Sequence, residues 1–241
     1  MLPTPSNDLA PASGLSSANM APALARGHVH EIHASLADWA AALGFALGGF
    51  GCAGMEDGPL VLVRARRGAA KGLRLYGEGL LALGMDPARL LIVEAQDGRD
   101  MLRAGLEAAR SPRLAGVVLE SWGALPDYDL TASRRLVLAA ERSGAGVALL
   151  RGDAPPRASA AHTRWAIHAL PSSPLAAQAS GMPAIDAELQ RRRGGPAGMR
   201  WRLEWDKDHG IFREAISSPV PSPAIAPPSG AVVPFPALRA G

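Results

Sequence analysis

Three groups of side chains in this sequence could do chemistry. His28, His30 and His33 lie close together, Glu120 ends an apolar run, and basic residues cluster at 64–74 and 191–193. An acid at the end of a buried strand orients a metal or a water in enzymes that cleave nucleoside triphosphates, provided a phosphate cradle lies beside it. The turn that would form the cradle is His33-Ala34-Ser35-Leu36-Ala37-Asp38-Trp39. It contains no glycine and no lysine, and it puts Asp38 where an anion would sit. The two lysines of the chain, Lys71 and Lys207, are followed by Gly72 and Asp208, not by Ser or Thr. A normal P-loop is excluded, and a structural hydrogen bond is the leading role for Glu120.

The remaining enzyme signals are thin. No G-x-S-x-G nucleophile elbow is present. His28 and His30 would share one face of a strand, yet no further metal ligands stand nearby, so they read as ordinary core or edge histidines. Asp127 and Asp129 flank Tyr128, and capping of a following helix accounts for Asp129 without catalysis. Arg64, Arg66, Arg67, Lys71 and Arg74 place five positive charges in eleven residues. That loop is either a mobile anion contact or a solvated surface. Arg191-Arg192-Arg193-Gly194-Gly195-Pro196-Ala197-Gly198 reads as a tight turn led by arginines. Asp186, Glu188, Glu204, Asp206 and Asp208 nearly neutralise its surroundings, which argues against a general nucleic-acid patch.

The elements that must position these residues follow from periodicity. Residues 27–33 alternate as a short strand, and the apolar run after Ser35, a possible cap with Asp38 three residues on, predicts a buried helix. Strands are expected at 59–64, 90–93, 115–119 and 147–150, with helices at 76–83, 100–109 and 130–143 between them. Asp129 and Gly144 are the expected caps of the last helix. Apolar strands alternating with helices imply a parallel sheet covered on both faces. Beyond residue 160 the pattern changes. A strand is expected at 163–169, and Trp201–Trp205 turns through 206–210 into Ile211–Arg213 as an antiparallel hairpin. The expected fold is α/β: a parallel core flanked by helices, with antiparallel strands at the C-terminal edge.

Composition sets the outer limits. A chain of 241 residues with 48% hydrophobic and 20% charged residues suits one globular domain. Eleven of the 21 prolines fall in the first 25 and last 25 residues, which carry only Asp8 and Arg239 as charges. The expected organisation is therefore a disordered tail at 1–25, a domain at 26–216 and a Pro-rich flexible tail at 217–241. Ala231–Leu238 is an apolar stretch in the second tail, and Val232, Val233, Phe235 and Leu238 are its candidate docking residues. A tail without consequence is the equal alternative. A single cysteine, Cys52, rules out an internal disulfide framework and fits a reducing cytoplasm. The N-terminus lacks the basic start and apolar run of a signal peptide. Trp39–Met55 is an uncharged run of seventeen residues, but five are glycine and the run is short for a membrane span, so a buried helix leading into a loop is expected. The formal charge is only +3, which does not by itself announce a nucleic-acid binder.

Several segments resemble the bacterial ImuA proteins, RecA-related accessory factors of inducible mutagenesis. They are His30–Ala34 with Ala37–Phe45, Leu75–Leu80, Asp129–Leu136, Ser159–Trp165, and Arg191–Gly198 with Trp201 and Trp205. The resemblance spans about residues 27–215 in order. It implies a RecA-like fold with a degenerate P-loop and places Glu120 at the position of that fold's acidic strand. The Arg191–Gly198 turn is similar to an element of RecA-like helicases whose basic residues reach a neighbouring subunit's nucleotide, with Arg191 and Arg193 at the matching positions. The resemblance further implies a non-catalytic, cofactor-free role in SOS mutagenesis and translesion synthesis, in the cytoplasm at the nucleoid. The implied partners are an ImuB-type inactive polymerase, the RecA recombinase and the error-prone polymerase ImuC, with at most weak or indirect DNA contact and no membrane. Two other readings share the fold: a SulA-like inhibitor of a tubulin-like division protein, and a residual nucleotide-binding enzyme using Glu120 and Arg193.

Overall fold

The computed structural model describes residues 24–50, 58–66, 74–176 and 179–215. The elements run β1 (Val29–Ala34), α1 (Trp39–Gly49), β2 (Leu60–Ala65), α2 (Gly77–Ala82), β3 (Leu90–Ala95), α3 (Gly98–Ala109), β4 (Gly116–Trp122), α4 (Leu130–Ser143) and β5 (Gly146–Gly152). Then come β6 (Thr163–Leu170), β7 (Ala184–Arg192), β8 (Met199–Asp206) and β9 (Ile211–Glu214). All nine strands form one sheet in the order β3-β2-β4-β5-β1-β6-β7-β8-β9. The first six are parallel, and β7, β8 and β9 add antiparallel beside β6. This is the α/β architecture expected, a parallel core flanked by helices with antiparallel strands at its C-terminal edge.

Two apolar layers hold it together. On one face of the sheet, α3 and α4 cover Val29, Val117, Leu119, Val147 and Leu149. On the other, α1 packs on Ile32, Val118, Leu150 and Trp165 and is also reached by Trp205 and Phe212 from the antiparallel strands. A helix with sheet on several sides needs no polar stripe. That explains why the uncharged run is a buried helix over Trp39–Gly49, while its residues 51–55, expected as a loop, lie outside the described residues. Gly48 is required by this packing: a Cβ there would stand 2.5 Å from the Trp205 ring. Among the described residues no helix is long and apolar enough to cross a membrane.

The capping of α4 is as expected: Asp129 accepts a hydrogen bond from the Ala132 amide at 2.7 Å, and Gly144 ends the helix in the left-handed region at φ 77°. Such an N-cap contributes about 1 kcal/mol. Asp97 caps α3 in the same way through the Asp100 amide at 3.0 Å.

Three expectations need correction. Ser35 does not cap α1; its hydroxyl donates to Asp38 Oδ2 at 2.7 Å, and Asp38 Oδ1 in turn accepts from the Ala169 amide at 2.8 Å. The acid thus staples the turn after β1 to the end of β6, and a tertiary partner outcompetes the capping pattern. The sheet is not covered on both faces throughout. β3 is an edge strand, with Leu91 59% and Ile92 44% exposed, so an apolar run does not mean full burial there. Finally, β7 has no counterpart among the expected strands. Its apolar residues Ile185, Ala187 and Leu189 alternate with Asp186, Glu188 and Gln190, a period-2 signal masked by the charges.

Candidate functional site

Side chains that could do chemistry gather at three places: at each end of the parallel strands, and in mid-strand on one face of the sheet. At the carboxyl end, β1 runs into a short 3-10 turn, Leu36–Asp38, and then directly into α1. This brief crossover brings Trp39, the first residue of α1, over the end of β4. Its indole N–H donates to Glu120 Oε1 at 2.7 Å. Trp122 donates to the same oxygen at 2.8 Å, and Arg64 Nη2 from β2 stands 3.2 Å from it. Glu120 is 2% exposed, and its other carboxylate oxygen is buried without a hydrogen-bond partner among the described residues. Trp122 fits because the neighbouring strand ends in glycine; a Cβ on Gly152 would overlap the indole at 1.7 Å. The space beside the acid is filled by two aromatic rings.

The opposite face of the same strands holds a second buried acid. Glu31, in the middle of β1, is 1% exposed. Its Oε1 accepts from the Tyr128 hydroxyl at 2.9 Å and its Oε2 from Arg164 Nε at 2.7 Å, while His33 Nε2 stands 4.0 Å away. Burial alone would raise the carboxyl's pKa. His33, Ser159 and the Arg164 charge, all facing it, outweigh burial and bring it to about 2. Arg151 lies over the Tyr128 ring, 5.6 Å from its centroid. Burial lowers the affinity of that guanidinium for its proton, and burial together with the Glu31 charge raises the Tyr128 hydroxyl well above its ordinary value.

At the amino end, the β7–β8 connection carries the arginine turn. Gly194 and Gly198 adopt φ of 71° and 84°, which is what lets the chain reverse so tightly. Arg191 is half-buried and turned inward, its guanidinium donating to the Ser159 carbonyl at 3.2 Å and to the Ala161 carbonyl. Arg192 and Arg193 are exposed, and the Arg193 amide donates to the His162 carbonyl at 2.8 Å. Two grooves flank the turn. One, of about 580 Å³, lies between the outer face of α4 and residues 159–161 and 191–193. The other, of about 450 Å³, is lined by His28, His30, His162, Trp165 and Trp201 together with Arg192 and Arg193.

The histidines in the second groove are occupied. His30 Nδ1 pairs with Thr163 Oγ1 at 2.7 Å and Nε2 with the Ala25 carbonyl at 2.9 Å. Burial lowers its pKa to about 4, so it is neutral at pH 7. The His28 and His162 rings meet edge-on at 4.1 Å, and His162 Nδ1 accepts from the Val29 amide at 3.1 Å. His33 lies on the other side of the sheet, beside Glu31. Among the described residues no group of three or more His, Cys, Asp or Glu could hold a metal ion.

The structure therefore distributes the sequence candidates unevenly. It brings Arg64 to Glu120 and leaves Arg66 and Arg74 exposed, while Arg67 and Lys71 lie outside the described residues. Arg191 and Arg193 sit at the other end of the strands from Glu120. Val232, Val233, Phe235 and Leu238 also lie outside the described residues. Leu24, placed by the sequence in the N-terminal tail, is 2% exposed and packs in the core. Sequence reasoning missed Glu31, Tyr128, Arg151 and Arg164. A glutamate between Val29 and Ile32 in a buried strand was a usable signal, because such a group must have a partner.

No family model matches the sequence. Two curated relatives do: the proteins named ImuA from Caulobacter vibrioides strains NA1000/CB15N and ATCC 19089/CB 15 are each 38% identical to this chain over 146 residues. The match covers 56% of this chain and 58% of each relative, so the chain spans little more than half the length of the relatives it matches. Among solved structures, a crystal structure of the RadB recombinase superposes with a TM-score of 0.49 at 14% identity, covering 77% of this chain and 90% of that one.

Proposed function

Since this chain is a relative of the ImuA proteins, we propose that it is a non-catalytic accessory protein of damage-induced mutagenesis. In this reading it binds an ImuB-type inactive polymerase, the RecA recombinase, or both, in the cytoplasm at the nucleoid, and serves translesion synthesis during the SOS response. The observation that carries it is the 38% identity to ImuA over 146 residues. The geometry beside Glu120 supports the non-catalytic part. One Glu120 oxygen accepts from two indoles and an arginine and the other is buried, so the carboxylate is enclosed away from a metal ion or an attacking water entering from solvent. The turn after β1 points no lysine and no glycine backbone at a phosphate.

In this function the protein contributes surfaces. The fixed core holds the arginine turn and its two grooves in a defined relation, and the exposed Arg192 and Arg193 are available to a partner. The test is affinity purification of the tagged full chain from DNA-damaged source cells. Recovery of the polymerase-like protein or of RecA supports the reading. Recovery of a division tubulin without either overturns it in favour of a SulA-like inhibitor. Nucleotide turnover by the purified protein that disappears in Glu120→Gln would overturn the non-catalytic part.

A further inference from the structure

We propose that the groove between α4 and the β7–β8 turn binds a partner segment that is acidic and carries apolar anchors. Its floor is one face of α4. Leu130, Arg134, Val137, Leu138 and Glu141 fall at helical spacing on that face and line the groove together. Leu130 is 43% and Leu138 51% exposed, so two leucines stand uncovered about two turns apart on one face of the helix, with Arg134 between them. The opposite wall is Arg191, Arg192 and Arg193 from the end of β7.

Charge fixes the kind of occupant. Arg134, Arg191, Arg192 and Arg193 surround the groove, and none of them forms an ion pair among the described residues. The one acid in the lining, Glu141, faces His162 at 3.6 Å. A segment with carboxylates along its edges would meet the arginines, while its apolar side chains would cover the two leucines. A cavity of about 580 Å³ has room for several such anchors. The floor favours a peptide over single-stranded nucleic acid. Bases need aromatic platforms to stack on, and this lining contains aliphatic side chains and no aromatic ring.

The surroundings make it a stable platform. Arg191 is tied to the carbonyls of Ser159 and Ala161, and the Ser133 hydroxyl accepts from the Ala160 amide at 3.0 Å. These bonds lock the 159–161 segment to both α4 and β7, so the groove is formed before a partner arrives. The segments that line it, 129–136, 159–165 and 191–198, are three of those that carry the resemblance to ImuA.

This inference deepens the accessory-protein reading by stating the partner's chemistry, and its test is separate from that of the reading. A fluorescein-labelled helical peptide of about 16 residues, with leucines every three to four positions and Asp or Glu elsewhere, is titrated against the full chain by anisotropy. Binding is expected, weakening as salt rises from about 50 to about 300 mM. Replacing the peptide's leucines by serine, or making Leu138→Ser or the pair Arg134→Glu with Arg193→Glu in the protein, is expected to weaken it at least about tenfold. These protein positions are exposed, and circular dichroism checks that the variants fold. Equal binding of the serine peptide, unchanged affinity of the variants, or tighter binding of an oligothymidylate at the same arginines overturns the proposal. Failure here with ImuB or RecA still recovered from cells sinks the groove alone; peptide binding without either partner sinks the mutagenesis reading alone.

Discussion

At the carboxyl end of the parallel strands, Glu120 accepts from Trp39, Trp122 and Arg64, and in the middle of β1, on the opposite face of the sheet, Glu31 accepts from Tyr128 and Arg164. At the amino end, Arg192 and Arg193 are exposed, and Arg191 is held by backbone carbonyls without a paired acid. One end spends its charges inside the fold and the other presents them outward. Buried charge must be matched internally because water is excluded, whereas exposed arginines cost the free protein little and remain available. At the carboxyl end, where sheets of this class usually bind ligands, Glu120 is here enclosed in the core. At the amino end, Arg192 and Arg193 lie on the accessible surface.

The sharpest test of this contrast is Glu31→Ala. It would leave Arg164 and Arg151 facing a buried, uncompensated site, and a loss of about 3–5 kcal/mol in denaturant unfolding is expected. A loss below about 1 kcal/mol would mean the network is not a structural unit.

Acid should limit the contrast, because His30 is a buried group beside the amino-end groove. His30 has a folded pKa of about 4 against an ordinary 6.5, so the unfolded chain takes up the proton first. Its contribution is complete above pH 6.5 and is lost as pH falls toward 4, roughly 3 kcal/mol over that window. Glu31, held at about 2 against an ordinary 4.5, adds a second decline as pH falls from 4.5 toward 2. Denaturation curves at stepped pH should show both, and His30→Gln should flatten the first.

A smaller effect is expected from Gly152→Ala, which pushes the Trp122 indole away from Glu120. The cost should be about 1–3 kcal/mol, with a change in tryptophan fluorescence. Smallest of all, Arg193→Ala should alter unfolding stability by no more than about 0.5 kcal/mol while weakening partner binding. A large stability loss there would remove the distinction between the two ends.

Much of the frame is legible in the residues alone. Asp129 and Gly144 bracket α4 because a side-chain oxygen at one end and a left-handed glycine at the other are local needs. The β8–β9 hairpin is legible from the alternation of Trp201, Leu203 and Trp205 and the turn after them. Ser35 misleads because Asp38, the residue that should have completed a capping box, is claimed by the Ala169 amide from a strand 131 residues away. β7 is hidden because its polar face carries Asp186 and Glu188, and Asp186 is matched by Arg200 on the adjacent strand only after pairing.

The candidate site is legible in part. Glu120 and the arginine turn stand out by type and position, but their separation to opposite ends of the sheet does not. Nor does the Glu31 network, whose members come from β1, the loop before α4, and β6.

The sequence by itself determined the alternation of the parallel strands with helices, the caps of α4 and the lack of glycine and lysine in the turn after β1, since each depends on residues within a few positions of one another. Only the tertiary structure decided which acids are satisfied and which arginines are free to meet a partner. Those outcomes depend on where strands far apart in the chain come to lie side by side, and on which of their side chains the packing then removes from water.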